Sequence, residues 1–145
     1  MKLIVVDDNK SFLEAVTFFL EEKLHYNVID QFSSGGDLLS SSKLNQADII
    51  LLDIEMPDMN GFEVAKRLLY RYHHLKLVAV TNHSDSVFLN DLIGSGFRGF
   101  VPKNTVFDHM SKVLTEVHNN SYSFPTNLKL KNLTQEINSK RGETL

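Results

Sequence analysis

The sequence predicts an α/β protein built on a doubly wound sheet of five parallel strands, with helices on both faces of the sheet. Short apolar runs rich in β-branched residues alternate five times with longer stretches of helical spacing, which is the pattern of parallel strands joined by helices. The chain has 145 residues, of which 42% are hydrophobic and 23% are charged. This length and composition suit one compact domain and exclude a wholly disordered or collagen-like chain.

The five apolar runs that predict strands are residues 3–6, 26–32, 49–52, 75–80 and 97–101. A helix is predicted after the first strand, where Phe12, Val16 and Leu20 recur at four-residue steps and the apolar pattern continues to Leu24. The second helix, at residues 35–43, is short and rich in serine, which is a weak helix former. Tertiary packing would have to stabilise it.

Each of the last three predicted helices follows a residue type that commonly caps helix N-termini. The candidate caps are Asn60, then Ser84 or Asp85, then Asn104 or Thr105. The third helix is predicted at residues 62–72, and the fourth ends at the sequence Gly94-Ser95-Gly96. The fifth helix has an apolar stripe between Val106 and Val117.

Residues 1–120 form the predicted domain, and residues 121–145, where Ser, Asn and Lys dominate, are predicted to be a tail or linker with a partial helical turn near 134–138. The formal net charge of −3 excludes a global basic field that would hold nucleic acid or an anionic membrane. The chain has no cysteine, which excludes disulfides and thiolate metal sites. No apolar run approaches the roughly 20 residues of a bilayer span, so we expect a cytoplasmic protein without a membrane partner.

Polar side chains follow four of the five predicted strands. Asp7 and Asp8 follow the first strand, Asp53 the third, Thr81 the fourth and Lys103 the fifth. Because the carboxyl ends of parallel strands share one edge of a sheet, and ligands bind at that edge, we expect these side chains to converge on one site.

Three carboxylates at one edge require a positive partner. At a separation of a few ångströms each pair repels by about 4 kcal/mol at an effective dielectric of about 20. Oxygen-only ligands in a site open to water suit Mg²⁺, which keeps several waters and often bridges carboxylate to phosphate. A carboxylate such as Asp53 can itself attack phosphorus and form an aspartyl phosphate. The sequence therefore predicts a magnesium-dependent phosphoryl site.

The sequence resembles the receiver domain of bacterial two-component response regulators over about residues 2–120. The motifs that carry this resemblance are Val5-Val6-Asp7-Asp8-Asn9, the run from Ile49 through Asp53 to Gly61, Val80-Thr81, and Phe100-Val101-Pro102-Lys103. Together, in this order and spacing, they are highly specific. The resemblance implies the flavodoxin-like strand order 2-1-3-4-5.

The resemblance also implies a role for each acidic residue of the site. Asp53 becomes the phosphoacceptor, supplied by the phosphohistidine of a sensor histidine kinase. Asp8 becomes the direct magnesium ligand, Asp7 supports the metal through water, and the main-chain carbonyl of Glu55 completes the protein ligands.

For the switch, the resemblance implies that Lys103 pairs with the phosphoryl oxygens and that Thr81 hydrogen-bonds the phosphate and moves toward it. Phe100 takes the place of the aromatic switch residue, which is buried or exposed according to that movement. The expected result is a population shift on the face formed by the fourth helix, the fifth strand and the fifth helix.

Some positions depart from the family pattern or occupy places that in this family affect the lifetime of the phosphate. Asn82 stands where the family generally has a small residue, and we hypothesise that its bulk slows phosphorylation by small donors such as acetyl phosphate. His83 and Glu55 occupy positions that in this family help to set how long the phosphate lasts. The resemblance also implies a cis peptide bond at Pro102, whereas the sequence alone favours trans.

The end of the chain, from Phe107 to Ile137, resembles the receiver end and linker of regulators with a helix-turn-helix effector. The chain is then either part of a transcription regulator, reaching DNA only through an effector domain missing here, or a stand-alone receiver that signals through a protein. A homodimer on phosphorylation is a further expected partner state. We expect no enzyme activity beyond self-phosphorylation and slow self-dephosphorylation. The alternatives are a phosphatase with Asp53 as nucleophile and a phosphate-independent binding module.

Overall fold

The protein is described by a computed structural model that covers residues 1–125. Its single sheet has five parallel strands in the order β2-β1-β3-β4-β5, which confirms the predicted fold. The strands are β1 (Lys2–Val6), β2 (Asn27–Phe32), β3 (Ile49–Asp53), β4 (Leu77–Thr81) and β5 (Gly99–Pro102). The predicted turn of helix near residues 134–138 lies outside the described residues.

The five predicted helices are present, with different lengths. They are α1 (Lys10–Phe18), α2 (Gly35–Leu39), α3 (Gly61–Arg71), α4 (Ser86–Gly94) and α5 (Val106–His118). Helix α2 has only five residues, as expected for a serine-rich segment of weak helix propensity. The leucine that follows it, Leu44, lies in a short 3-10 turn, Leu44–Gln46, and is buried.

The first helix is longer than α1 alone because it continues as a π-helical segment, Phe19–Lys23. The wider turn is closed by a hydrogen bond from the N–H of Leu24 to the carbonyl of Phe19, at 3.2 Å. His25, with φ of 59°, then ends the segment in the left-handed conformation. The apolar spacing predicted one continuous α-helix here and did not reveal this change.

The sheet separates two layers of helices. On β3, Ile50 and Leu52 pack with the buried side chains of α2, α3 and α4, whereas Ile49 and Leu51 pack with those of α1 and α5. Successive residues of a strand face opposite sides of the sheet, so a strand buried on both faces is a nearly continuous apolar run. All five residues of β3 are buried, and Asp53 ends the strand.

Side-chain caps fix where four helices begin. The side-chain oxygens of Asn9, Ser34, Asn60 and Asp85 each accept a hydrogen bond from a backbone N–H three residues further on. The predicted cap of the fifth helix is wrong, since Thr105 precedes α5 without a side-chain cap bond. A 3-10 turn, Lys103–Thr105, leads directly into α5 instead.

The chain after α5 returns to the sheet. The N–H of Ser123 donates to the carbonyl of Arg98 at 2.8 Å, and the N–H of Phe100 donates to the carbonyl of Ser123 at 3.1 Å. The cis bond expected at Pro102 is wrong, because every peptide bond within residues 1–125 is trans.

Within the same residues, no helix is long and apolar enough to cross a bilayer.

Close packing beneath Asp53 makes Gly61 sensitive to substitution. A Cβ at Gly61 would lie 2.8 Å from the Cα of Ile54 and 2.9 Å from the carbonyl oxygen of Asp53. We therefore expect Gly61→Ala to lower the free energy of unfolding by about 1–3 kcal/mol, measured by urea denaturation. Gly94→Ala is the matched control, because nothing lies within 4 Å of its new Cβ. Equal losses in both variants would contradict this packing.

Candidate functional site

The three carboxylates predicted to converge do so. Asp7 and Asp8 follow β1, Asp53 ends β3, and one carboxylate oxygen of each lies within 4.8 Å of the others. Asp7 and Asp53 are 1% and 2% exposed, whereas Asp8 is open to solvent. The cluster is therefore a buried pair of acids with one exposed acid at its mouth.

Local hydrogen bonds orient the two buried acids. Oδ1 of Asp7 accepts from the N–H of Asn9 at 2.9 Å, and Oδ1 of Asp53 accepts from the N–H of Glu55 at 3.1 Å. The second oxygen of each, Oδ2, is buried without a hydrogen-bond partner among the described residues. A buried carboxylate oxygen left in this state is costly unless a cation or a proton compensates it.

Lys103 is the positive group nearest to both buried oxygens. Its Nζ lies 2.9 Å from Oδ2 of Asp7, the distance of a charge-assisted hydrogen bond, and 3.6 Å from Oδ2 of Asp53. The ammonium also lies 4.6 Å from the centre of the Phe12 ring. One ammonium cannot balance three carboxylates, so the site keeps an excess of negative charge.

This excess changes the pKa of Asp53. Burial and the neighbouring charge of Asp7 raise the pKa of Asp53 to about 7, against the lowering effect of Lys103 and of the Glu55 N–H. Burial lowers the pKa of Lys103, but its contacts with Asp7 and Asp53 outweigh burial and raise it overall. Near neutral pH, Asp53 is thus partly protonated and Lys103 is charged.

The donor set fits a hard divalent cation. It consists of carboxylate oxygens only, two of them buried with Lys103 as their one cationic neighbour within 4 Å among the described residues, and it reaches solvent through Asp8. A cation there would compensate Asp7 and Asp53 and return Asp53 to its ionised form.

Glu55 is on the rim of the site. Its side chain, 60% exposed, contacts the imidazole of His83, which links the loop after β3 to the loop after β4. The backbone of Glu55 is adjacent to the acids because its N–H bonds Asp53. That the main-chain carbonyl of Glu55 binds the metal stays a prediction.

Thr81 and Phe100 occupy different surroundings. Thr81 ends β4, is 1% exposed, and accepts a hydrogen bond from the N–H of His83 at Oγ1, at 3.2 Å. Because Asp53 pairs with Val80 in the sheet, Thr81 extends to the same edge as the acids. Phe100 lies on β5 opposite Ala79, buried in the core on the side of α4. It is outside the charged cluster.

Asp58 is a further contact that the sequence did not indicate. Its carboxylate accepts from the N–H groups of Gly36, at 3.2 Å, and Gly35, at 3.4 Å. These bonds lower the pKa of Asp58 and tie the loop after Asp53 to the start of α2. No local pattern signals a contact between residues more than twenty positions apart.

A family model described as the response regulator receiver domain matches residues 3–115. The chain belongs to this family. It is the receiver domain of a two-component response regulator, as the sequence motifs implied. The transcriptional regulatory protein DegU of Brevibacillus brevis is similar, at 25% identity over 117 residues, which is 81% of this chain and 50% of DegU. The receiver chain spans about half the length of the curated relatives it matches.

Solved structures share the receiver fold. A LuxR-family two-component response regulator from Aurantimonas aligns with a TM-score of 0.79 at 19% identity, covering 98% of each chain. The isolated receiver domain of RcsB from Salmonella enterica, determined with the phosphomimetic BeF3−, aligns with a TM-score of 0.75 at 21% identity, covering 87% of this chain and 94% of that one. At these identities the likeness supports the fold alone.

The raised pKa of Asp53 predicts a pH-dependent stability. The pKa of Asp53 is about 7 in the folded protein and 3.8 in the free group, so folding disfavours its ionised form. The contribution of Asp53 to the free energy of unfolding is therefore complete below pH 3.8 and is lost as the pH rises through 7. In metal-free buffer, the stability of Asp53→Asn relative to wild type should rise between pH 4 and pH 7 and then level off, as measured by urea denaturation.

Asp91→Asn, at an exposed position of α4, is the matched control for the loss of one carboxylate. A difference between Asp53→Asn and wild type that stays constant from pH 4 to pH 8 would contradict the burial of an under-compensated charge at Asp53.

Proposed function

We propose that this receiver domain accepts a phosphoryl group on Asp53 from the phosphohistidine of a sensor histidine kinase. The observation that carries the proposal is the Oδ2 atom of Asp53, buried without a hydrogen bond and 3.6 Å from Nζ of Lys103. Oδ1 is occupied by the Glu55 N–H, so Oδ2 is the free nucleophile. A bond forms from Oδ2 to phosphorus while the phosphorus–nitrogen bond breaks and the imidazole keeps the electron pair.

Mg²⁺ is the proposed cofactor of this transfer. Asp8 would bind it directly, Asp7 through water, and Asp53 together with the carbonyl of Glu55 would complete the protein ligands. The arrangement that supports this set is the close approach of the three carboxylates, with the Asp8 side chain open to solvent. When bound, the ion would neutralise charge between the carboxylates and the incoming phosphoryl group.

Lys103 and Thr81 have the properties needed to hold the phosphoryl group. Lys103 lies between two carboxylates, with its ammonium 3.6 Å from Oδ2 of Asp53, so it is placed to pair with an oxygen of a phosphoryl group on Asp53. Thr81 uses Oγ1 to accept from His83, which leaves its hydroxyl hydrogen available to donate. We propose that the movement of Thr81 and the repositioning of Phe100 alter the face formed by α4, β5 and α5.

The chemistry we propose ends with slow self-dephosphorylation, without turnover of other substrates. The contact between Glu55 and His83 spans two loops at the mouth of the site, where it would restrict the approach of water to an acyl phosphate. A phosphatase with Asp53 as nucleophile and a phosphate-independent binding module remain the competing functions.

The proposed partners follow from the family. A histidine kinase supplies the phosphoryl group, so we place the protein in the cytoplasm. We propose that DNA is reached only through an effector domain outside this chain, which spans 50% of the length of the transcriptional regulatory protein DegU. The tail or linker at residues 121–145 stays a prediction, and within it Ser123 is bonded to β5. A homodimer on phosphorylation is a further proposed partner state, and the exposed rings of Phe18 and Phe107 are apolar surface that a dimer would cover.

Incubation with acetyl phosphate or beryllofluoride and Mg²⁺ tests this function. Because Oδ2 of Asp53 is the proposed nucleophile, we expect acetyl phosphate to add one phosphoryl group per chain by intact mass and beryllofluoride to bind at the same residue, and we expect neither in Asp53→Asn or without Mg²⁺. Asp91→Asn, which leaves the site intact, should be modified like wild type. Light scattering on the same samples measures whether a dimer accompanies the adduct.

Two other results would each replace the proposal. Multiple turnover on phosphate esters would identify a phosphatase. A chain that forms no adduct with either reagent at saturating Mg²⁺ would be a binding module.

Substitution of Asn82 tests whether this side chain limits the access of small phosphoryl donors to Asp53. Its side chain is exposed in the loop between β4 and α4, next to Thr81. If its bulk narrows the mouth of the site, Asn82→Ala should be phosphorylated several-fold faster by acetyl phosphate, as followed by intact mass over time. Ser84→Ala, at an exposed position two residues further on, is the control. An unchanged rate in Asn82→Ala would show that the asparagine does not limit access.

A further inference from the structure

The five residues 121–125, named here the strap, cover the outer edge of the sheet. Strand β5 is the last strand in the sheet order, so one of its edges has no neighbouring strand. Ser123 pairs with Gly99 there as an isolated parallel bridge, with two backbone hydrogen bonds of 2.8 and 3.1 Å. The strap therefore acts as a very short added strand.

The strap also packs closely against the protein. Ser123 is 6% exposed, and Phe124 packs on the same hydrophobic cluster as Phe100, whereas Tyr122 is 57% exposed. At Gly99 a Cβ would lie 2.9 Å from Val117 and 3.4 Å from the carbonyl oxygen of Ser123. Strand β5, helix α5 and the strap are therefore closely packed around Gly99.

This contact is close in sequence to the charged site. The Phe100 N–H is bonded to the strap, and Lys103, whose Nζ lies 2.9 Å from Asp7, follows three residues later. Between them, Val101 is fully buried and Pro102 ends β5, opposite Thr81 on β4. The end of β5 that leads to Lys103 is therefore joined to the strap by a short, packed stretch of backbone.

A groove of about 370 Å³ beside the strap and α5 is lined by Phe100, Phe124, His109, Val113 and Glu116. Phe100 is only 3% exposed and belongs to the core cluster on the α4 side of the sheet, where dense packing resists displacement of a large side chain. Phe124 is only partly buried against that cluster, so its ring is the one that can leave when the strap separates from β5.

We propose that Ser123 and Phe124 are positioning residues of the phosphorylation switch. While the strap is docked, it holds the end of β5 in the arrangement where Lys103 pairs with Asp7. A phosphoryl group on Asp53 draws Lys103 and Thr81 toward it and loosens the strap. The proposal builds on the function proposed above. By linkage, the factor by which a bound phosphoryl mimic weakens docking of the strap equals the factor by which loss of docking strengthens binding of the mimic.

Amide hydrogen exchange measures the first half of this coupling. In the 145-residue chain with Mg²⁺, beryllofluoride should increase the exchange rates of the Ser123 and Phe100 amides by about fivefold or more, the lower end of typical coupling. The amide of Leu51, in the middle of the sheet, should not exchange faster. Unchanged or slower exchange at Ser123 and Phe100 in the presence of bound beryllofluoride would overturn the proposal.

Two aromatic residues of the strap provide a matched pair of variants. Phe124→Ala removes the ring that packs inward and should lower the beryllofluoride concentration at half saturation by about fivefold, because more of the protein is already in the competent state. Tyr122→Ala removes an exposed ring and should leave it unchanged. Ser123→Pro, which deletes the N–H bonded to Arg98 but keeps both rings, should act like Phe124→Ala.

The outcomes separate this coupling from the proposed function. Beryllofluoride binding with the same midpoint in wild type, Phe124→Ala and Ser123→Pro overturns the role of the strap and leaves Asp53 as phosphoacceptor. Failure of all forms, wild type included, to bind beryllofluoride overturns the proposed function and the coupling with it.

Discussion

Two buried carboxylates with too little positive charge around them dominate this receiver domain. Asp7 and Asp53 each use one oxygen to fix a tight turn and leave the other in the interior with only Lys103 nearby. Burial of charge is favourable only when it is fully paired and hydrogen-bonded, and this site is neither. This uncompensated negative charge therefore lowers the stability of the folded domain. A proton, a divalent cation or a bound phosphoryl group with its cation would each compensate the charge in a different way.

The fold holds these acidic side chains close together despite their repulsion. Strands β1 and β3 are adjacent and parallel, so the acids that follow them reach the same edge, and apolar side chains bury both faces behind them. Gly61 packs against the backbone of Asp53, and Asp58 fastens the following loop to α2. A site held on rigid strand ends responds to a ligand by moving the surrounding loops and strand ends, which is the proposed basis of the output.

The sequence predicted the features that depend on periodicity and on strand ends. It placed the five strands and located Asp7, Asp8, Asp53 and Lys103 at one edge, since parallel strands share that edge whatever their order; the order itself came from the family resemblance. Contacts between distant segments had no local signal. The contact of Asp58 with the start of α2 and the pairing of Ser123 with β5 are both of this kind. The π-helical segment Phe19–Lys23 is local, but the apolar spacing is the same for one continuous α-helix. The absent side-chain cap on α5 is a local error, caused by the 3-10 turn before it.

The most direct measurement of the under-compensated charge is a ¹³C NMR titration of the Asp53 carboxyl group, with and without Mg²⁺. The account predicts a pKa near 7 for Asp53 in metal-free buffer and a clear fall in that pKa when Mg²⁺ is added, because the cation favours the ionised form. An ordinary carboxyl pKa in metal-free buffer, unaffected by Mg²⁺, would contradict it.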